Sequence, residues 1–566
     1  MIRETIAVTT SRARRFLSAE VQGLQAAAYI LAASAFLSSL LALVRDRLLA
    51  HNFGASGTLD VYYAGFRIPD LVFVATAALV SVYILIPELS KRDADGQKRY
   101  IDNILAGFSL FAVIVAGISA YVAPSILARL FPSFSPDAME QLVTITRILL
   151  LQPILLGFSN IFAAVTQSRH RYLLYSLSPL LYNIAIIIGI EFLYPSWGIP
   201  GVAAAVVFGA LLHAGIQVPS LLRDGFLSRL PRVREPLTLL RTGALSIPRA
   251  LALSMSQVTL IGLTTLAAGL STGSIAVFMF AFNLQAVPLA VIGASFSVAA
   301  FPTLSAAFSM GNREEFVRHV VTAARYVIAW SIPAGMLILV LRAYLVRVIL
   351  GTGAFDWTDT RLTAAAFGLF SLSLAAQGVQ LLLVRGYYAA GRTLVPFLIA
   401  FGTMLTTLAI AALSLFTLQD QALMHSVEVL LRVEDVPGSD IVALAFAYTV
   451  AAILGAFVLA AHFQYSFGGF LQGVYRTFFE SVAAGFLGGI SAYLTLSIFN
   501  PLVPTTATVS VFLLGLGGGI AGILATILGY AILGTKEYLE TMIALRARLW
   551  RKEKPSDVPV VSSAES

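Results

Sequence analysis

Runs of about twenty predominantly apolar residues recur along this chain from Leu24 to Leu533, separated by short polar breaks. A bilayer core of ~30 Å needs a helix of about that length, whereas a membrane β-strand needs only ~10 residues. Backbone groups in lipid must also bond within their own segment, which a helix does and a lone strand cannot. The repeated run therefore points to an all-α polytopic membrane protein. Fourteen spans are expected, at roughly 24–49, 66–88, 101–126, 143–166, 173–193, 199–222, 240–269, 275–303, 320–350, 362–388, 395–417, 440–464, 475–498 and 505–533. Charged residues make up only 12% of the chain, about half the share in a soluble protein.

Chemistry classes fall away next. The chain has no cysteine, which removes disulfides, thiolate metal sites and cysteine nucleophiles. Its six histidines are scattered without HExxH spacing, and no phosphate-binding loop occurs, so neither an enzyme, a metal site nor a cofactor is expected. The net charge of +8 is not a nucleic-acid signature, because Lys and Arg fall in alternate loops. Placing the N-terminus in the cytoplasm puts most of the 37 basic residues inside, among them Arg12, Arg14, Arg15, Lys91, Arg92, Arg169, Arg171, Arg313, Arg318, Lys552 and Lys554. That bias predicts that both termini are cytoplasmic. Residues 1–23 carry no cleavable signal and read as a basic amphipathic lead-in. The acidic excursion 419–440 falls outside. In the tail, Leu539, Met542, Ile543, Leu549 and Trp550 share one face of a helix among basic residues, the pattern of a segment lying against anionic lipid. The terminal PSDVPVVSSAES reads as disordered.

The stretch from Ser38 to Pro87 breaks the apolar rule. Arg45, Asp46, Arg47, Asp60, Arg67 and Asp70 lie in it, around a Gly-rich turn at 51–58. Charge at membrane depth costs ~3 kcal/mol per residue, so such groups face a protein interior or a wet cavity and mark a polar pathway. We expect Arg45 to line a cavity that faces an anionic ligand, for which its planar fork of donors is suited. Arg47 and Asp70, nearer the span ends, read as residues that reach for water. Polar residues within later spans, such as Asn183, Ser256, Gln257 and Gln285, more often bond neighbouring helices than ligand.

An internal repeat organises the rest. GTLDVYYAGFRI (57–68) aligns with GSIAVFMFAFNL (273–284), and IPELSKRDADGQKRYI (86–101) with FPTLSAAFSMGNREEF (301–316). Similar offsets in the same order imply two like-oriented lobes related by an axis along the membrane normal, the layout of a carrier that rocks between two open states. The expected organisation is a cytoplasmic N-terminal segment (1–23), a first lobe of six spans (24–222), a cytoplasmic linker (223–239), a second lobe of six spans (240–464), two further spans (465–533) and a cytoplasmic tail (534–566). The repeat is asymmetric in charge: Asp60, Arg67 and Asp70 face neutral counterparts near Ala276, Asn283 and Ala286. Asn283 is thereby the one polar residue of the second lobe expected to touch ligand.

These segments, together with LALVRDRLLAHNFGASGTLDVYYAGFRIPDL, LSPLLYNIAI (177–186), LSMSQVTLI (253–261) and RGYYAAGRTLVPF (385–397), make the chain resemble the MurJ/MviN lipid II flippases of the MOP exporter superfamily. The resemblance covers nearly the whole chain. It implies a multi-pass inner-membrane protein that moves undecaprenyl-diphosphate-linked peptidoglycan precursor to the outer leaflet, its lipid tail running beside the last two spans. It implies membrane lipids and the cell-wall synthesis machinery as partners, and a monomer. By correspondence, Arg45 approaches the diphosphate with Asp46 beside it, Asp60 is the family's acid at the start of the second span, and Arg67 matches a basic or polar position. The family usually carries arginine where Ser39 stands, an arginine pair at Phe73 and Val74, a glutamate at Ala78, and charges where the second lobe has Asn283 and Ala286. The expected substrate set is thus Arg45, Asp46, Asp60, Arg67, Asn283 and Ser39. The alternatives are another polyprenyl-diphosphate oligosaccharide as cargo and a non-transporting membrane scaffold; a cation antiporter would want more acids deep in the spans.

Overall fold

The computed structural model describes residues 24–550 apart from 78–79, 228–231, 234, 419, 435 and 503–507. The basic lead-in 1–23 and the terminal PSDVPVVSSAES lie outside the described residues. Every regular element among those described is helical. The first bundle holds α1 (Leu24–Phe53), α2 (Gly57–Gly65), α3 (Arg67–Ala77), α4 (Val82–Ser90), α5 (Ala94–Leu130), α6 (Pro136–Leu149), α7 (Leu151–Ser168), α8 (Tyr172–Ile188), α9 (Tyr194–Gly215) and α10 (Val218–Arg223). The second holds α11 (Pro236–Ala268), α12 (Ser274–Pro288), α13 (Ser295–Ser309), α14 (Arg313–Ile349), α15 (Trp357–Leu372), α16 (Leu374–Ala389), α17 (Leu394–Thr417), α18 (Gln421–Leu431) and α19 (Ile441–Phe467). The chain then continues through α20 (Phe470–Phe499), α21 (Thr508–Leu533) and α22 (Lys536–Trp550).

Ten helical stretches among the described residues are long and apolar enough to cross a membrane, or eleven if α15 and α16, bent by 48°, form one span. The difference from the fourteen expected has local causes. One stretch, Tyr172–Arg223, contains two expected spans. They are the arms of a hairpin that turns at Gly198, whose φ of 60° suits glycine, so that Gly189 packs on Ala205 and Gly209 on Tyr182. The expected span 66–88 is divided into α3 and α4, with Ser81 extended (ψ 132°) between them. Helix α1, of 30 residues, is about 45 Å long at 1.5 Å per residue, ample for one crossing.

The repeat is visible in the element order. In each half a proline-containing helix, with Pro87 in α4 and Pro302 in α13, precedes a polar turn and a 37-residue helix, α5 or α14. The apolar core shows how the bundles meet. Near the end of α1, one continuous core joins Leu49, Leu59, Tyr62 and Tyr63 to Ile275, Phe278, Phe280 and Phe355. At the opposite end it divides into two separate cores, one around Leu89, Ile104, Phe108 and Phe226, the other around Phe316, Leu383, Tyr387 and Phe463. The bundles therefore lean together at one end and part at the other.

The C-terminal pair α20 and α21 packs against itself and against α14. Gly488 lies against the carbonyl of Gly522, so the two backbones approach closely, as membrane helices do where small residues face each other. Helix α22 is held to α14 by Arg325–Glu537 (2.5 Å) and by Tyr326 donating to Glu540 (2.5 Å). Its Leu539 and Ile543 are exposed, on the strip expected to face lipid; the side chains of Leu549 and Trp550 lie outside the description.

Candidate functional site

Arg45 sits two turns before the end of α1. Its Nε and Nη2 both donate to Asp46 Oδ1, at 3.0 and 2.8 Å, and Nη1 donates to Asn183 Oδ1 at 3.4 Å. Asn183 is held in turn by donating to Ser38 Oγ and to the Pro179 carbonyl. The other oxygen of Asp46 accepts from Asn283 Nδ2 at 3.1 Å. Three of the six expected residues are thus joined in one chain, Arg45–Asp46–Asn283, that crosses from the first bundle to the second. Asp46 is buried, whereas the Arg45 side chain keeps 22% of its surface open. The pair is charge-neutral, but its cation is the accessible half.

The other three expected residues stand elsewhere. Asp60 is buried, and its oxygens accept from the backbone N–H of Gly273 (2.6 Å) and Ala276 (2.9 Å) at the start of α12. Such an N-terminus has free N–H groups and a positive dipole end, so a carboxylate there offsets much of its burial cost. Arg67 is buried, donating from Nε to the Tyr63 carbonyl and standing 4.0 Å from Asp70. Ser39 donates to the Ala35 carbonyl one turn back. Arg47 does not reach for water as the sequence suggested. It donates to the carbonyls of Val348 and Ile349 at the C-terminus of α14, where a cation meets the negative dipole end.

Arg47 and Asp60 belong to a seam that closes one side of the molecule. Along it Ala354 N donates to His51 O (2.8 Å) and Ala55 N to Asp359 Oδ2 (2.9 Å). Asp359 also completes a capping box with Asp356 at the start of α15. Sequence reading missed Asp359 as a seam residue, although the DWTD pattern marks a helix start; nothing local shows that its carboxylate also reaches Ala55.

On the parted side, two cavities flank α11 and share Leu253 in their linings. One, of 530 Å³, is lined by Phe73, Val74, Ser81, Asn160, Gln167 and Tyr175 among others. The other, of 370 Å³, includes Ser256, Thr259, Phe282, Gln377, Thr407 and Tyr448. Both linings are neutral. Phe282 adjoins Asn283, so the second cavity ends beside the Arg45–Asp46–Asn283 chain; Arg45 itself lines neither. These two neutral cavities make up a chamber on the parted side whose end at Phe282 adjoins the charged hydrogen-bond chain, with the seam beyond it.

Comparison with known proteins agrees with this architecture. The solved structure titled "Lipid II flippase MurJ, inward closed conformation" superposes with a TM-score of 0.69 over 91% of this chain and 100% of its own, at 19% identity. An inward-facing MATE-family multidrug transporter of the MOP superfamily gives 0.59 over 78% and 94%, at 15% identity. Among curated sequences, the lipid II flippase MurJ of Burkholderia cenocepacia is 25% identical over 386 residues, 66% of this chain and 74% of that protein. The probable lipid II flippase MurJ of Thermotoga maritima is 26% identical over 375 residues, 66% and 75% of the two chains. The family model described as "Lipid II flippase MurJ" matches residues 49–513. The chain is therefore a member of the MurJ lipid II flippase family, a family of transporters and not of enzymes.

Proposed function

We propose that this protein carries a polyprenyl-diphosphate-linked peptidoglycan precursor of the lipid II kind across the cytoplasmic membrane by alternating access. Both termini are cytoplasmic in this reading, so the parted side faces the cytoplasm and the seam faces outward. The observation that carries it is the Arg45–Asp46–Asn283 chain at the closed end of a two-bundle chamber. A diphosphate arriving there competes with Asp46 for the Arg45 fork. Once Asp46 turns from Arg45, its bond to Asn283 weakens, and one tie between the bundles goes with it. Substrate arrival is thereby linked to loosening of the outer seam. Arg45, Asp46 and Asn283 are the contacts we assign to the headgroup, with Asp60 acting on the seam and Arg67 and Ser39 supporting helix packing. A negative-inside potential favours outward movement of an anionic headgroup, so no coupling ion is needed.

Full-length protein in proteoliposomes should flip fluorescent lipid II, and Arg45→Ala should slow flipping by about tenfold or more, the worth of one charge-assisted contact. Flipping at the wild-type rate by Arg45→Ala would remove the site assignment. The neutral walls at Phe73 and Val74, where the family usually carries arginines, favour a second cargo reading, a polyprenyl diphosphate with a different sugar. It would show as flipping of such a lipid with lipid II left unmoved.

A further inference from the structure

The largest of the cavities described here, 860 Å³, is not in the chamber. It lies where the C-terminus of α14 meets the start of α15, the end of α18 and the C-terminal pair α20–α21. Four arginines line it, Arg342, Arg347, Arg361 and Arg432, and no Asp or Glu does. None of the four forms an ion pair with a carboxylate among the described residues. Two of them shape the site. Arg361 donates from Nε and Nη2 to the Arg432 carbonyl (3.0 and 2.8 Å), and Arg342 donates to the carbonyls of Leu339 and Leu431. They hold the chain at Arg432 in a left-handed turn (φ 62°), a conformation costly for a residue with a side chain. The other two are left to face a ligand: Arg432 is exposed, and Arg347 lies 5.9 Å over the Trp357 ring.

The rim says at what depth the cavity sits. Trp357 and Tyr493 are exposed beside it, and amphipathic rings of this kind collect at headgroup level. Leu430, 77% exposed, and the buried Val511 of α21 add apolar surface to the lining. Because the seam residues Val348 and Ile349 end the same helix that carries Arg342 and Arg347, the cavity opens on the seam side of the molecule. Concentrated positive charge with no internal counter-ion, at headgroup depth and with an apolar flank, is the chemistry that takes a phosphate attached to a hydrocarbon chain.

We propose that this cavity is an outer-leaflet binding site for the diphosphate of the polyprenyl lipid, occupied after the headgroup leaves the central chamber. This rests on the orientation and cargo class argued above, and it adds a receiving site some distance from Arg45.

The test uses full-length protein in lipid nanodiscs with a photoreactive undecaprenyl diphosphate, read by peptide mapping of the crosslinks. The variant is Arg347→Gln/Arg432→Gln, which leaves the two loop-holding arginines in place, with Arg347→Lys/Arg432→Lys as the check on folding. Crosslinks at Leu430 or Tyr493 in the wild type, reduced about tenfold in the Gln pair and retained in the Lys pair, support the site. Crosslinks there that persist unchanged in the Gln pair overturn it. Competition separates the sources of phosphate. Displacement by excess phosphatidylglycerol as readily as by unlabelled undecaprenyl diphosphate assigns the cavity to ordinary phospholipid, and displacement by inorganic diphosphate at equal concentration assigns it to a soluble anion; either overturns the polyprenyl occupant. Lipid II flipping by the wild type is scored separately, so loss of this site leaves the transport reading standing, and loss of flipping does not erase the crosslinks.

Discussion

Asp60 carries a full charge into the protein interior and gives both oxygens to N–H groups of another helix, those of Gly273 and Ala276. Bonds of this charge-assisted kind are worth about 1.5–3 kcal/mol each, and these two exist only while the bundles touch on that side. Asp60→Ala removes both bonds together with the charge, so the closed seam should lose about 3–6 kcal/mol relative to its open form. The chain has no native cysteine, so a single Thr272→Cys reporter can be labelled without background. In an Asp60→Ala background its labelling by an impermeant maleimide should rise by at least tenfold; unchanged labelling would show that the two bonds do not hold the seam. Reading the sequence marked Asp60 as a costly charge at membrane depth and assigned it to the substrate set, whereas its oxygens accept from backbone N–H groups of α12. The partner itself was not legible. It is a helix N-terminus more than two hundred residues away, and a backbone N–H leaves no mark in residue type. The same holds for Arg47, whose partners are the carbonyls of Val348 and Ile349. By contrast the Arg45–Asp46 pair was legible, because both partners are side chains and adjacent.

The helix start at Gly273 shows the same division at the scale of an element. Long apolar runs made the helices readable, because burial in lipid leaves a periodic, local signature, and the recurring motifs fall on the matching helices of Pro87 and Pro302. The interruption of the second span near Ser81 was hidden, since a run of apolar residues reads the same whether or not it is broken, whereas the turn at Gly198 falls in the expected gap between the spans 173–193 and 199–222. Gly273, the N-cap of α12, has φ 90°, and a Cβ there would run into the carbonyl of Ala55. Both the backbone conformation and the contact demand glycine. Gly273→Ala should therefore strain the closed seam by about 1–3 kcal/mol while leaving α12 intact. The expected outcome is a stable, monodisperse protein whose Ala55→Cys reporter becomes more reactive from outside and whose flipping rate falls. If the variant purifies well and flips at the wild-type rate, the close approach of the two helix starts has no part in the cycle.

At the scale of the whole molecule, the divided core and the continuous core are two halves of one statement: the bundles can separate only on the side where the apolar contacts and hydrogen bonds are now made. Alternating access requires the seam formed by Arg47, His51, Ala55 and Asp60 against α12, α14 and α15 to come apart once per cycle. A covalent tie across it should stop transport without touching the substrate chamber. Gly57 and Thr272 offer the place, since a Cβ at Gly57 would stand 3.2 Å from Thr272 Cγ2, the position a cysteine sulfur would take. That spacing suits a disulfide, and with no other cysteine in the chain the pair has no competing partner. Gly57→Cys/Thr272→Cys should flip labelled lipid in reductant, lose flipping on oxidation by about the fraction of molecules cross-linked, and recover on reduction. Each single variant should be insensitive to oxidant. Undiminished flipping by the fully oxidised pair would mean that cargo crosses while the seam stays shut. The lipid would then have to travel along the outside of the bundles, and the chamber that ends beside the Arg45–Asp46–Asn283 chain would lose its place in the path.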